Sequence, residues 1–204
     1  MKSILSLFCV CLALAGCSKK NDPGPVTING KTYGTVEIGG QTWTTSNYDG
    51  PGGTVGPLNN ESSIGKYYLL SDLSGIVLPN GWRTPTQADY VKLIQSQGSL
   101  TPNSDGSFSL LDLAAVANLK STSDWPTAGN NNSGINITPD GEYNAFMNTF
   151  IDRNYDVIFW TSTKGTGEDL PSQCVFIVDN TSAKVDPTHG VLNYGYFIRF
   201  VKDD

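Results

Sequence analysis

Val36-Glu37-Ile38-Gly39-Gly40-Gln41-Thr42-Trp43 sets the fold class. Apolar and polar residues alternate on either side of two glycines, which is the pattern of a β-hairpin with one buried and one wet face. Just upstream, Val26-Thr27-Ile28, Asn29-Gly30 and Lys31-Thr32-Tyr33 repeat the logic, and Asn-Gly suits the positive φ of a type I′ turn. At the other end of the chain, Val175 to Val178, Ala183 to Val185 and Tyr194 to Val201 read as strands, with Asn-Thr-Ser and Pro-Thr-His-Gly between them. The middle reads as helical. Thr86 is a good N-cap with Asp89 at the third helical position, Tyr90, Leu93 and Ile94 then share a face, and Gly98 closes that helix. Ser109 with Asp112 offers a second start, for a helix from Leu110 to about Lys120. Strands at both ends with helices between them indicate an α+β fold of two or three helices and long loops, in which the terminal strands pair.

Further out, the amino terminus assigns a compartment. A basic residue at Lys2, an apolar run of about a dozen residues and Leu14-Ala15-Gly16-Cys17 make a secretory signal, too short to span a bilayer. Cysteine directly after the cut resembles the acceptor of a bacterial lipoprotein. Residues 1–16 are therefore expected to be the lipoprotein signal peptide, residues 17–25 a tether acylated at Cys17, and residues 26–204 one folded domain. Ser18, rather than aspartate, favours the outer membrane by analogy with Gram-negative envelope sorting, and the domain is expected at the cell surface. The lipid is the only membrane contact expected.

Cysteine use agrees with this division. Cys9 and Cys11 leave with the signal and Cys17 carries lipid, so Cys174 has no disulfide partner and reads as a small buried hydrophobe in a strand. His189, the only histidine, lies in a turn-like Asp186-Pro187-Thr188-His189-Gly190 and reads as solvent-facing. The chain carries a net charge of -6 without a basic stripe, which argues against a nucleic-acid partner. Gly50, Gly52 and Gly56 miss the spacing of a phosphate-binding loop, and Pro51 removes an amide that would face a phosphate. No G-x-S-x-G, H-E-x-x-H or paired Cys-His arrangement is present, and Glu142 with Glu168 reads as a chance pair rather than two glycosidase carboxylates. The chain does not read as an enzyme.

Four motifs occur in order: Val36 to Trp43, Gly81-Trp82-Arg83-Thr84-Pro85-Thr86 opening a helix, Phe159-Trp160-Thr161-Ser162-Thr163, and Gly195-Tyr196-Phe197-Ile198-Arg199-Phe200-Val201-Lys202-Asp203. This series resembles the FISUMP domain, the Fibrobacter succinogenes major paralogous domain, over nearly the whole mature chain. The resemblance implies a C-type-lectin-like α+β fold on secreted or lipid-anchored bacterial surface proteins, with no well-defined activity. Two places depart from the pattern. Tyr143 to Tyr155 is less glycine-rich than usual, and Phe200 stands where many relatives have cysteine, so the usual disulfide is not carried over.

Trp43, Trp82 and Trp160 read as core or corner residues, and Arg83 as a stacking or internally paired side chain. Trp125 differs, because it sits between Asp124 and Pro126 in a loop rich in Gly and Asn. A loop anchor is the plainer reading; an exposed indole flanked by amides is also what sugar binding uses. The candidate ligand-binding residues are therefore Trp125, Asn130, Asn131, Asn132, Asp140, Glu142, Tyr143, Tyr155 and Glu168, on loops from about Trp125 to Tyr155 and Lys164 to Gln173. Glu142 to Ile151 keeps helical spacing at Tyr143, Phe146, Met147, Phe150 and Ile151, but Asn144, Asn148 and Thr149 are poor helix formers, and the segment stays open. Thr101 to Asp112 approaches the spacing of a calcium loop, yet lacks its first carboxylate and its bidentate Glu. The Glu-Pro-Asn and Trp-Asn-Asp signatures of calcium-dependent lectins are absent too, so no cofactor and no metal site are expected, with calcium on the oxygen cluster of Asn130, Asn131, Asn132, Asp140 and Glu142 as the minor alternative. The expected function is a surface binding module for a glycan or a protein ligand, with a structural or adhesive part in a surface assembly as the alternative.

Overall fold

The computed structural model describes residues 23–56, 64–166 and 173–204. The signal peptide, Cys17, the tether as far as Asp22, and Glu168 with most of its loop lie outside the described residues. In chain order the strands are β1 (Val26–Ile28), β2 (Lys31–Tyr33), β3 (Thr35–Ile38), β4 (Gln41–Thr44), β5 (Trp82–Arg83), β6 (Leu100–Pro102), β7 (Phe108–Leu110), β8 (Glu142–Asn144), β9 (Thr149–Ile151), β10 (Asp156–Lys164), β11 (Gln173–Asp179), β12 (Ala183–Gly190), β13 (Tyr194–Gly195) and β14 (Val201–Asp203). Helices α1 (Gln87–Gln95) and α2 (Leu113–Leu119) and a 3-10 turn at Leu70–Gly75 complete an α+β chain that is mostly sheet. Among the described residues no helix is long and apolar enough to cross a membrane.

Both hairpins read from the sequence form. β1 and β2 pair around Asn29 and Gly30, at φ 48° and 78°, the left-handed conformation their side chains tolerate best. β3 and β4 pair around Gly39-Gly40. The chain ends meet as expected, because β14 inserts between β4 and β5 and sets Val201 opposite both Trp43 and Arg83. A buried carboxylate locks that corner. Asp89, capping α1, accepts from the Thr86 backbone N–H at 2.7 Å and from Gln41 Nε2 at 2.6 Å, and it pairs with the Arg83 guanidinium. Arg83 also reaches Asp203 at 3.0 Å, so one cation joins helix start, β5 and β14.

The main sheet runs β10-β11-β12-β7-β6. β10 and β11 are continuous apolar runs because both of their faces are covered. Val157, Phe159, Cys174, Phe176 and Val178 face a core completed by Tyr90, Leu93 and Ile94 of α1 and by Val116 and Leu119 of α2. Ile158, Trp160 and Val175 face a second core with Tyr48, Tyr68 and the first hairpin. The segment from Tyr196 to Val201 threads between them, with Phe197 and Val201 in the first core and Tyr196, Ile198 and Phe200 in the second. Trp160 Nε1 donates to the Tyr68 carbonyl at 2.6 Å, which satisfies the one polar atom of a fully buried indole. Cys174 is a free, buried thiol, as its strand position predicts.

Four local expectations are corrected. The α2 cap is Asp112, whose carboxylate accepts from the Ala114 and Ala115 amides at 2.9 and 3.1 Å; Ser109 lies in β7 opposite Lys184. Helix α1 ends at Ser96, and Gly98 instead lets Ala115 and Leu110 approach. Thr101 to Asp112 does lie between α1 and α2, but it belongs to a hairpin of β6 and β7 rather than to a loop. Asp186 to Gly190 is strand rather than turn, because β12 continues against β11 as far as Gly190 opposite Gln173; His189 is exposed as expected.

Candidate functional site

The open segment from Glu142 to Ile151 is a hairpin, β8 paired with β9, not a helix. Asn148 adopts a left-handed φ of 53° and the Asn144 carboxamide accepts from the Met147 amide at 3.0 Å, a turn that asparagine favours and a helix interior does not. The hairpin carries Phe146 and Met147 to its tip, where they are 85% and 67% exposed. β13 pairs with the other edge of β8, and the Ala145 amide donates to the Asn193 carbonyl at 2.9 Å, which holds Leu192, 42% exposed, against the same tip. Three large apolar side chains thus share one solvent-facing corner.

Beside that corner lies a cleft of about 420 Å³ lined by Glu142, Thr188, His189, Val191, Tyr194 and Tyr196. Gly141 places the acid in it. Its φ is 71°, its amide donates to the Asp156 carbonyl at 2.8 Å, and a Cβ there would sit 2.2 Å from the Ile151 carbonyl oxygen. Only glycine therefore lets β8 pass between β9 and the start of β10, and that passage sets Glu142 near Asp156. Glu142 is 8% exposed, and among the described residues its Oε2 has no hydrogen-bond partner; the buried Oδ1 of Asp156 has none either. Burial is the first cause that pushes the Glu142 carboxyl up to about 7, and the negative charges of Asp156 and Asp152 add to it. Asp156 is pushed up to about 7 for the same first reason, with Asp152 and Asp179 adding to it.

A second hollow of about 180 Å³ opens over Asn47, Asn136, Thr138 and Arg199. Arg199 is buried and uses its guanidinium on protein acceptors: Asn47 Oδ1 at 2.6 Å and the carbonyls of Thr44, Ile135 and Asn136 at 3.0, 3.0 and 3.2 Å. Burial lowers its pKa to about 10, so it stays a cation at neutral pH. Asp140 lies near it, accepting from Asn47 Nδ2 at 3.0 Å and Thr138 Oγ1 at 2.5 Å, and burial outweighs those bonds to push the carboxyl up to about 6. This hollow is a structural knot whose donors are spent internally.

The expected site residues scatter. Trp125 is 6% exposed, donates Nε1 to the Ile137 carbonyl at 3.0 Å and lies under Lys120 Nζ, 4.9 Å from its ring. The plainer of the two readings holds, and the exposed platform does not: the indole anchors its own loop, since an apolar ring beside a backbone acceptor is better placed inside than in water. Asn130, Asn131 and Asn132 brace that loop; Asn130 Oδ1 accepts from the Asn132 amide and Asn131 Oδ1 from the Asn136 amide. Tyr143 packs on Tyr67 and Phe150, and Tyr155 is 67% exposed. Trp125, Tyr143 and Tyr155 do not all meet in one concave site. Of the candidates, Glu142 lines the larger cleft and Asp140 belongs to the smaller knot. Sequence reasoning missed Thr188, His189, Val191, Tyr194 and Tyr196. No periodic signal marks them: after Val185 the alternation gives way to Asp186-Pro187-Thr188-His189-Gly190, and only the pairing of β12 with β11 as far as Gly190 carries Thr188 and His189 to the sheet end.

The family model described as the Fibrobacter succinogenes major domain matches residues 36–202. Curated proteins and solved structures give no match to the chain.

Proposed function

The chain belongs to the Fibrobacter succinogenes major domain family, and from that premise we propose that it is a lipid-anchored bacterial cell-surface binding module, not an enzyme. Cys17 carries the lipid, the outer membrane holds the protein, and the domain faces outward to recognise a glycan or a protein ligand. The paired terminal strands, two short helices and long connections support a C-type-lectin-like reading of the α+β arrangement. The observation that carries the binding reading is the cleft at Glu142, a concave polar site whose buried acid keeps an oxygen without a partner among the described residues and whose rim is apolar. Burying an acceptor with no donor is costly, and a site that keeps one is poised for a group supplied from outside. The exposed tip of Phe146, Met147 and Leu192 favours a second reading, an adhesive or structural part of a surface assembly that needs no small ligand.

Expression of the full chain in a Gram-negative host fed alkyne-tagged palmitate tests the anchor. Label is expected on the wild type and not on Cys17→Ser, with the domain removed by protease added to intact cells; label kept by the variant, or full protection, contradicts the reading. The detergent-solubilised protein applied to a glycan array then tests the ligand. A hit lost on Val191→Trp, which fills the cleft, supports a glycan, and silence directs the search to proteins.

A further inference from the structure

We propose, resting on the binding-module reading, that the Glu142 cleft is a pocket for a cationic side chain, arginine or lysine, presented by a protein ligand next to an apolar residue. Charge complementarity is the first argument. Glu142 lines the cleft and Asp156 lies behind it, near enough to act on its charge; each holds a buried oxygen without a hydrogen bond among the described residues, and the further charges acting on them are those of Asp152 and Asp179, also negative. A neutral sugar hydroxyl would donate one hydrogen bond to Glu142 and leave that negative potential unanswered. A guanidinium or ammonium answers it and also donates the missing bonds.

The walls suit the rest of such a side chain. Tyr194 and Tyr196 line the cleft with their ring centroids 6.2 Å apart, and Val191 adds an aliphatic surface. Aromatic faces attract a cation, and apolar walls cover its methylene stem. Thr188 and His189 stand at the exposed end of β12 on the same cleft. A metal ion fits less well, because among the described residues no three His, Cys, Asp or Glu side chains are grouped as ligands, whereas an organic cation needs only one or two carboxylates. Leu192 directly follows Val191 of the cleft wall, and the exposed Phe146 and Met147 cap the hairpin that carries Glu142, so a ligand long enough to pass the acid pocket has an apolar surface to cover. A protein segment with a basic and an apolar residue side by side satisfies both.

The test uses the full-length protein in a non-ionic detergent, titrated calorimetrically with the capped tripeptide Leu-Arg-Leu and with its neutral twin Leu-citrulline-Leu at pH 8, where Glu142 is ionised. The arginine peptide is expected to bind with Kd below about 1 mM and the citrulline peptide at least about tenfold more weakly. Glu142→Gln, whose neutral amide keeps the shape, is expected to weaken arginine binding at least about tenfold, and Val191→Trp to abolish it. Lowering the pH to 5.5 should weaken the wild type by a larger factor than Glu142→Gln, since Glu142, facing Asp156, Asp152, His189, Tyr194 and Tyr196, is protonated there while the variant keeps only the Asp156 carboxyl's share of the loss. Equal binding of both peptides, or undiminished binding by Glu142→Gln, overturns the inference. So does a glycan hit that Val191→Trp removes together with silence toward the arginine peptide; that result leaves the binding-module reading standing, whereas silence toward both probes removes both.

Discussion

Arg199→Met is expected to cost about 3–5 kcal/mol of folding stability, because it leaves several buried acceptors without a donor at once. The carbonyls of Thr44 and Ile135 both lean on Nη1, that of Asn136 on Nη2, and Asn47 on Nε. These join the end of β4, the loop before Pro139 and the carboxy-terminal segment, so the variant loosens three distant stretches together. The Phe159 ring, 5.7 Å from the guanidinium carbon, faces the same cation. Arg199→Lys is expected to recover only part of the loss, since an ammonium keeps the charge but not the planar fork that reaches several acceptors. Urea unfolding of both variants checks the order. Equal stability of wild type and Arg199→Met would mean that desolvating the cation cancels everything its bonds contribute.

The second large effect is with pH. Glu142 and Asp156 are pushed up to about 7 and Asp140 to about 6, from ordinary values of 4.5 and 3.8. Between those limits the native state holds protons that the unfolded chain has released. Their contribution is therefore fully present below about pH 4 and is lost as pH rises through 6 and 7. Carboxylates held low, Asp89 by Arg83 and its cap bonds and Asp186 by Lys184 and Thr188, act oppositely and lose their contribution as pH falls below the ordinary 3.8. Thermal stability is thus expected to peak between about pH 4 and 5 and to drop by on the order of 5 °C or more by pH 8. Glu142→Gln removes one of the three titrations and should raise the melting temperature at pH 8 while leaving it little changed at pH 4.5. A melting temperature that rises from pH 5 to pH 8 would contradict the burial of these acids.

Much of the scaffold was legible because it follows local rules. Asn29-Gly30 and Gly39-Gly40 declare hairpins, Thr86 with Asp89 declares a cap, and the alternation at both chain ends declares strands that meet as β4 and β14. Glu142 to Ile151 stayed open in the sequence, because its aromatic residues have helical spacing while tertiary pairing with β13 decides their conformation. Trp125 left two readings open for a related reason. Polar neighbours in sequence do not make a wet neighbourhood in space, and Ile137, twelve residues on, supplies the carbonyl that seats the indole. Arg199 stands at a core position of the apolar segment between β13 and β14, where its charge reads as an interruption until its carbonyl partners are seen. The cleft itself was not legible, since it forms where β8, β12 and β13 converge and no short stretch of sequence contains it. Glu142 was found as an oxygen ligand in a long loop, and only its burial shows why it matters.

A carbon-detected NMR titration of the Glu142 carboxyl in the full-length protein, assigned by comparison with Glu142→Gln, bears most directly on the cleft. An apparent midpoint of about 7 is predicted for an acid buried near Asp156 whose Oε2 has no donor among the described residues. A midpoint near the ordinary 4.5 would place Glu142 in water or against a cation of the protein and contradict the cleft as the recognition site.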